Sequence, residues 1–254
     1  MWKNHPKALP FLFLSEMWER FGYYLMIGIF TLYLKDVETG FAMTEKEASD
    51  LYGTFIALVF LTPFVGGLIA DRYWGYKKSI VIGGLMMGVG YLMMGIHDKS
   101  ILYVAMTLVI VGNGFFKPNI STLLGNFYSE EKYKNQKDEG YNIFYMGINL
   151  GAFLAPLVTG LLLQRYGWHV GFGIGGIGML ISLLIFRCLA MPQVRQLNQN
   201  MPVQSSVLRD PAKIRKIKQG LSLVAVLLIA GFFSLYRGWI VIQPVVIVEY
   251  FALS

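Results

Sequence analysis

The sequence has few charged residues and only one cysteine. Just 15% of its 254 residues are charged, against about 25% in a typical soluble domain, whereas 55% are hydrophobic. The single cysteine, Cys188, excludes an internal disulfide framework, and its apolar surroundings predict a small buried side chain. The sequence shows no metal-ligand spacing and no nucleophile–base pair, so it favours neither a metal site nor an enzyme.

Long apolar runs are what the sequence has in abundance. A run of about 18 or more apolar residues predicts a membrane-spanning helix, because about 20 residues cross a hydrocarbon core about 30 Å thick. Six runs are clear: 8–34, 51–70, 79–96, 101–124, 143–163 and 170–190. They lack the alternation of a membrane β-barrel. The sequence therefore predicts an all-α membrane protein.

Membrane topology explains the net charge of +7, so no nucleic-acid partner is predicted. If the N-terminus is cytoplasmic, the inside segments carry most of the lysines and arginines, as the positive-inside rule requires. The inside set is Lys3, Lys7, Arg72, Lys77, Lys78, Lys132, Lys134, Lys137, Arg195, Arg209, Lys213, Arg215, Lys216 and Lys218. The outside set is Lys35, Lys46, Lys99 and Arg165. We therefore predict a cytoplasmic N-terminus.

The sequence divides into three regions of different character. Residues 1–191 predict an N-terminal six-helix transmembrane bundle. Residues 192–218 are polar, contain three prolines and end in the basic stretch RDPAKIRKIK. They predict a cytoplasmic linker that ends in a basic interfacial helix, with a merely solvated linker as the alternative. Two shorter apolar segments in residues 219–254 predict an additional transmembrane hairpin, truncated at its end.

One glycine-rich stretch is a false signal for a nucleotide site. The stretch GIGGIG, residues 173–178, fits the dinucleotide-binding pattern G-x-G-x-x-G. No predicted strand precedes it, and no acidic residue follows about 20 positions later, as that fold requires. We interpret it as a surface for close helix packing in the membrane.

Three ionisable residues lie inside the first apolar run, in the stretch SEMWERFGYYLM. On a helix, Glu16, Glu19 and Arg20 share one face, which Tyr23 and Tyr24 continue by one turn. A charged residue at the bilayer centre costs about 2.5–3.5 kcal/mol on insertion scales, so such residues usually mark a functional site. An intramembrane carboxylate pair is typical of a proton or ion site. A static ion-pair clamp between two helices is the alternative.

One negative charge would remain on this face if Arg20 neutralised only one carboxylate, so a second cation is expected. Within the first six runs, the other well-embedded ionisable residue is Lys117, in GNGFFKPNIS, where Pro118 predicts a helix kink. We therefore predict that Lys117 meets Glu16 and Glu19 in the bundle interior.

Two further polar features are candidate functional groups. Asn149, in FYMGINLGA, lies between glycines and either faces a cavity or hydrogen-bonds to a neighbouring helix. The stretch GGLIADRYWGYKK carries Asp71, Arg72 and Lys77 at the cytoplasmic end of the second run. We interpret this cluster as a loop that breaks and re-forms when helices move, with a purely topogenic cluster as the alternative.

Four stretches resemble motifs of the proton-dependent oligopeptide transporters, a branch of the major facilitator superfamily. EMWERFGYY is similar to that family's helix-one motif, and GGLIADRYWGYKKSI to its form of the loop between helices two and three. GNGFFKPNIS resembles the helix-four motif, and FYMGINLGAFLAP the helix-five signature. The resemblance covers about residues 8–190.

The resemblance implies the major facilitator fold, with a 3+3 inverted repeat in each six-helix bundle and two bundles that close alternately around a midplane site. It implies symport of di- and tripeptides with protons, across a bacterial inner membrane. The proton gradient would drive uptake, and no cofactor or metal is implied. The partners would be the peptide, protons, the lipid bilayer and a C-terminal six-helix bundle that this chain lacks.

The resemblance also assigns roles to residues. Glu16, Glu19 and Arg20 would couple transport to protons. The peptide would bind to Arg20, Tyr23, Tyr24, Lys117 and Asn149. The conformational loop motif would comprise Gly67, Asp71, Arg72 and Lys77.

Some positions depart from the family pattern and leave other functions open. Phe60 stands where many members have a pocket tyrosine, and Ile27 where many have an arginine that pairs across the bundles. A family member that carries another anion or an amphiphile is therefore an alternative. A membrane receptor or assembly protein that does not transport is a second alternative.

Overall fold

A computed structural model of the chain describes residues 2–71 and 75–194. The described part contains six long helices, and each coincides with one of the six predicted apolar runs. They are α1 (Leu9–Lys35), α2 (Glu45–Ile69), α3 (Tyr76–Met94), α4 (Lys99–Phe127), α5 (Lys137–Tyr166) and α6 (Trp168–Ile185). The all-α prediction is confirmed for these residues. Arg72 and the linker and hairpin predicted beyond residue 194 lie outside them.

Several helices extend beyond the apolar runs because their ends are stabilised by polar residues. α2 begins at Glu45, six residues before its apolar run. Thr44 caps it: the Thr44 hydroxyl accepts from the Glu47 amide at 3.3 Å, and Glu47 Oε2 accepts from the Thr44 amide at 2.9 Å. α5 also begins six residues early, with Asp138 and Glu139 in its first turn, where the helix dipole favours acidic groups.

Four described helical segments are long and apolar enough to cross a membrane: 45–69, 99–127, 134–160 and 168–194. α1 carries four charged residues, and α3 begins with Tyr76 and two lysines, which lowers the hydropathy of both helices. Both helices nevertheless pack within the same bundle as the other four. The chain is a multi-pass membrane protein.

The packing of the helices follows the predicted repeat. α1 packs against α5 and α6, α4 packs against α2 and α3, and α3 packs against α6. Exchanging α1–α3 for α4–α6 converts each of these pairs into another pair of the same set. Because three spans separate α1 from α4, the second triplet enters the membrane from the opposite side, so the repeat is inverted.

Glycines allow the closest helix approaches. A Cβ atom on Gly22 of α1 would lie 2.6 Å from the carbonyl oxygen of Gly175 on α6. A Cβ atom on Gly83 of α3 would lie 2.5 Å from the carbonyl oxygen of Gly112 on α4. Backbones therefore touch at both places, as small residues permit in membrane helices. Gly175 belongs to GIGGIG, so the helix-packing interpretation of that stretch is confirmed.

Cys188 is exposed, so the prediction that it is buried was wrong. It lies in the short π-helical segment Phe186–Ala190 that continues α6. In a water-soluble protein an apolar surrounding sequence implies burial, but a membrane helix also presents apolar residues to lipid. The apolar context of Cys188 therefore could not distinguish the protein core from the outer surface.

Polar contacts stabilise both ends of the bundle. At the end that bears the N-terminus, buried His5 binds the hydroxyl of Tyr128 through Nδ1 at 2.7 Å, and its Nε2 lies 3.5 Å from Glu139 Oε1. At the other end, the Trp168 indole donates to Asp36 Oδ2 at 2.6 Å. These contacts link the start of the chain to α4 and α5, and the end of α1 to α6.

Candidate functional site

Glu16, Glu19 and Arg20 are all buried on α1, with at most 4% of any of them exposed. Arg20 Nη2 donates to Glu19 Oε1 at 2.7 Å, and Arg20 Nε donates to Glu19 Oε2. Arg20 Nε also lies 3.4 Å from Glu16 Oε1. A single guanidinium thus serves both carboxylates, and its bidentate bond goes to Glu19.

The cluster is incompletely satisfied. Glu16 Oε2 is buried and has no hydrogen-bond partner among the described residues. Two carboxylates share one guanidinium, so the three groups together carry one uncompensated negative charge when both acids are ionised. A buried charge of this kind needs a cation or a proton.

Lys117 approaches this cluster from α4 but does not contact it. Its ammonium lies 5.2 Å from the centroid of the Phe60 ring, over the ring face, and the side chain is half-buried. It is close enough to act electrostatically on Glu16 and Glu19. Among the described residues no ion pair joins Lys117 to Glu16 or Glu19, so the predicted direct contact is not made in this structure.

The polar face of α1 runs from the buried cluster to the surface. The Arg20 guanidinium lies over the ring of Tyr23, 5.0 Å from its centroid. The rings of Tyr23 and Tyr24 meet edge to face at 5.5 Å. Tyr23 is buried, but 39% of Tyr24 is exposed. The two tyrosines therefore form a continuous connection between Arg20 and the exterior.

Asn149 is exposed on α5, close to the same level of α1. A Cβ atom on Gly151 would lie 3.1 Å from Arg20 Cβ, so this turn of α5 packs directly beside the charged cluster. The structure thus brings Glu16, Glu19, Arg20 and Tyr23 together in the interior. Tyr24, Lys117 and Asn149 are at least partly accessible.

Large apolar side chains are exposed on α2 and α5. At least half of each is accessible. They are Phe60, Leu61 and Phe64 on α2, and Tyr145, Met146, Phe153 and Leu157 on α5. Such a surface is too apolar to face water and suits contact with lipid or another protein surface.

Comparison with known proteins identifies the family. The POT family model, PTR2, matches residues 77–229, which is more than half of the chain. The chain belongs to the POT family. It is 33% identical over 249 residues to the peptide transporter YePEPT of Yersinia enterocolitica, covering 96% of this chain and 48% of the relative. It is 37% identical over 185 residues to the dipeptide and tripeptide permease A of Escherichia coli, covering 72% and 36%.

Solved structures of POT proteins share the fold. A peptide transporter POT in complex with sulfate superimposes with a TM-score of 0.81 at 32% identity, covering 98% of this chain and 50% of that one. A POT family transporter in complex with 5-aminolevulinic acid gives 0.80 at 26% identity, covering 94% and 49%. The chain spans about half the length of the relatives it matches. It corresponds to their N-terminal, major facilitator bundle.

The loop motif of this POT chain is described in part. Gly67 faces Pro118 of α4: a Cβ atom there would lie 3.6 Å from Pro118 Cβ. The side chain of Asp71 interacts with that of Tyr76 at the start of α3. Lys77 lies in the first turn of α3. The proposed conformational role of these residues stays a prediction.

Sequence reasoning missed one polar residue beside the cluster, Tyr91 of α3. Its side chain is fully buried, and its hydroxyl has no hydrogen-bond partner among the described residues. The missed signal was a tyrosine in an apolar stretch, three residues before the end of α3. Asn113 and Asn119 are also buried, but their amides donate to the backbone carbonyls of Val59 and Phe115, so they are structural.

Proposed function

We propose that this chain forms the N-terminal half of a proton-coupled symporter of di- and tripeptides. The observation that carries the proposal is the buried Glu16–Glu19–Arg20 cluster, which leaves one carboxylate charge uncompensated in a POT bundle. Membership of the POT family and relatives named peptide transporters support it.

Proton coupling follows from the charges of the cluster. A proton on Glu16 or Glu19 removes the uncompensated negative charge and weakens the hold of the carboxylates on Arg20. Arg20 then has donors available for another anion, and Tyr23 and Tyr24 connect it to the exposed face. Proton binding and anion binding would therefore favour each other, which is the thermodynamic requirement of symport.

The proposed peptide site uses Arg20, Tyr23, Tyr24, Lys117 and Asn149. Peptides share a backbone and two charged termini, whereas their side chains differ. The cations would bind the peptide carboxylate, and the tyrosine hydroxyls and the amide would bind the backbone. Lys117 is suited to this role because its ammonium rests on an aromatic ring and has no contacting carboxylate in the described part of the chain.

Alternating access would need a second six-helix bundle opposite the exposed face of α1, α2, α4 and α5. We propose that residues 1–191 act as one rigid bundle and that Gly67, Asp71, Arg72 and Lys77 re-form contacts as it rocks. Residues 192–218 would link it to the hairpin 219–254. The proton gradient would supply the driving force, so no cofactor is required.

We place the transporter in a bacterial inner membrane with its N-terminus in the cytoplasm. The bias of lysines and arginines toward one side supports this orientation. The named relatives are bacterial transporters, which supports the location. His5 and its contacts to Tyr128 and Glu139 would then lie on the cytoplasmic side.

One observation favours a second candidate substrate class. A POT family transporter has been solved in complex with 5-aminolevulinic acid, a small amino acid rather than a peptide, which supports a wider substrate range. Phe60 brings an apolar ring to Lys117, where many family members offer a hydroxyl. Transport of another anion or an amphiphile by this chain is therefore the alternative.

Dipeptide uptake into proteoliposomes tests the proposal. The complete transporter that contains this bundle should accumulate dipeptide only under an inward proton gradient. Glu16→Gln and Glu19→Gln should abolish gradient-driven accumulation but retain peptide counterflow, because glutamine keeps the shape and cannot bind the proton. Glu131→Gln, at an exposed position, is the matched control. Gradient-driven uptake that is unchanged in both buried variants would refute the coupling role.

A further inference from the structure

Tyr91 is a buried polar residue that the proposed transport cycle does not yet use. Its side chain is fully buried in the last turn of α3. Buried tyrosine hydroxyls usually find a partner, yet this one has none among the described residues. An unsatisfied hydroxyl at a functional site can serve a second conformation in which it is bonded.

Tyr91 lies beside the charged cluster, next to a glycine of α1. A Cβ atom on Gly22 would lie 3.6 Å from Tyr91 Cε2, so the ring packs against the bare backbone of α1 two residues beyond Arg20. Glu19, Arg20 and Tyr23 all act electrostatically on the Tyr91 hydroxyl. The ring thus reaches the cluster from α3, a helix that carries no acid or base at this level.

The Glu19–Arg20 bond explains when a further partner is needed. Arg20 donates to both oxygens of Glu19 in the described conformation. If Arg20 turns toward the carboxylate of a substrate, Glu19 loses both donors at once. Its carboxyl group is fully buried, so it must find another hydrogen-bonding group within the protein.

We propose that Tyr91 is a positioning residue for the Glu19–Arg20 pair, whose hydroxyl hydrogen-bonds to Glu19 when Arg20 is released to the substrate. This inference rests on the proposed symport function. No covalent step is involved: the proton reaches Glu19 from water, and the Tyr91 hydroxyl keeps its own proton. The hydroxyl is unpaired in the described conformation because both carboxylate oxygens of Glu19 already accept hydrogen bonds from Arg20.

The charged and titratable groups around Glu19 come from three helices. Glu16, Arg20 and Tyr23 share α1 with it, Tyr91 faces it from α3, and Lys117 acts on it from α4. Of these groups, Tyr91 is the one that supplies a neutral hydroxyl from outside α1. Removing this hydroxyl should therefore alter how readily Glu19 and Arg20 separate, without changing the charge of the site.

The test is Tyr91→Phe in the complete transporter, measured by gradient-driven dipeptide uptake across a range of pH. Loss of the hydrogen bond to Glu19 should lower the maximal uptake about tenfold and shift the pH profile. The melting temperature should not fall, since the hydroxyl makes no bond in the described conformation. Ser79→Ala is the matched control, because Ser79 also carries a buried hydroxyl without a partner among the described residues of α3.

The double variant Tyr91→Phe/Glu19→Gln separates this inference from the proposed function. Measured by peptide counterflow, which Glu19→Gln retains, Tyr91→Phe should add nothing in the Glu19→Gln background, because the bond to the Glu19 carboxyl group is then already lost. If Glu16→Gln and Glu19→Gln both leave proton-driven uptake unchanged, the symport proposal itself fails. If Glu19→Gln abolishes uptake while Tyr91→Phe keeps the wild-type rate and pH profile, the positioning role alone is refuted. An equal loss in Ser79→Ala, or a loss that parallels the melting temperature, also refutes it.

Discussion

α1 and α4 occupy equivalent places in the inverted repeat, yet they handle buried charge in opposite ways. Each helix packs between two main neighbours and touches both of them at glycines. In its interior, α1 holds two acids and an arginine that bind one another out of contact with solvent. Beyond its first residue, α4 holds one lysine, Lys117, which is half-buried with its charge over the ring of Phe60.

This difference separates a charge that supports the fold from a charge that is available to a ligand. The guanidinium of Arg20 already compensates the carboxylates of Glu16 and Glu19. Removing it leaves two buried acids next to one another without a cation in contact. Lys117 compensates nothing at contact distance in the described part of the chain. Variants of the two cations should therefore fail in different assays.

Arg20→Leu should have the largest effect. Removing one partner of a buried ion pair costs about 3–5 kcal/mol, because the other charge stays buried without compensation. We expect a large drop in the free energy of unfolding and in the amount of inserted protein, measured by thermal denaturation in detergent and by membrane yield. Arg20→Lys keeps the charge without the bidentate geometry and should lie in between. Wild-type stability in Arg20→Leu would show that the cluster does not support the fold.

Lys117→Ala should leave stability nearly unchanged but weaken peptide binding. Loss of a cation that binds the peptide carboxylate costs about 2 kcal/mol, which corresponds to about a thirtyfold increase in Kd. Lys117→Arg should restore little, because a planar fork does not reproduce a compact ammonium. Peptide binding by scintillation proximity and melting curves together check this. If Lys117→Ala binds peptide with unchanged affinity, or loses as much stability as Arg20→Leu, the two cations do not differ in role as proposed for α1 and α4.

The sequence was sufficient to predict the six helices, since each apolar run became one helix. It was sufficient to place Glu16, Glu19 and Arg20 on one face, because their spacing is three and four residues. The strongest bond in the cluster was nevertheless missed. Glu19 and Arg20 are adjacent and point about 100° apart on a helix, so spacing rules give them no contact. Their long side chains bend toward one another once solvent is excluded.

The roles of Lys117 and Tyr91 show what spacing cannot provide. Lys117 was expected to contact the carboxylates because an unpaired charge inside a membrane is costly and is usually paired with an opposite charge. In the structure an aromatic ring from α2 stabilises it instead, and such a contact depends on which helices are neighbours. Tyr91 was missed for the same reason: it lies beside the charged cluster only because this end of α3 is next to the middle of α1.

Gly22→Ala tests the close approach between α1 and α6 beside Tyr91 and the charged cluster. The new methyl group would meet the backbone of Gly175, so we expect a loss of about 1–2 kcal/mol in the free energy of unfolding. Gly173→Ala is the matched control, since no described atom lies within 4 Å of a Cβ atom there. Thermal denaturation of the two variants measures the difference. Equal stability would mean that α1 and α6 are free to move apart, and that the repeat does not hold α1 as tightly as proposed.

The smallest expected effect lies at the end of α1, where Asp36 caps the helix in water. Hydrogen bonds from Thr39, Trp168 and Glu38 lower the pKa of Asp36 from 3.8 to about 2. Because the folded pKa lies below the unfolded one, the stabilisation is complete above about pH 4 and is lost as the pH falls from there through 2. The difference in melting temperature between wild type and Asp36→Asn should therefore be constant from pH 7 to about 4 and shrink below it. Glu38→Gln, which changes a neighbouring carboxylate that accepts none of these bonds, should show no such pH dependence. A difference that disappears already near pH 6 would place the responsible group elsewhere, and Asp36 would then not stabilise this end of α1.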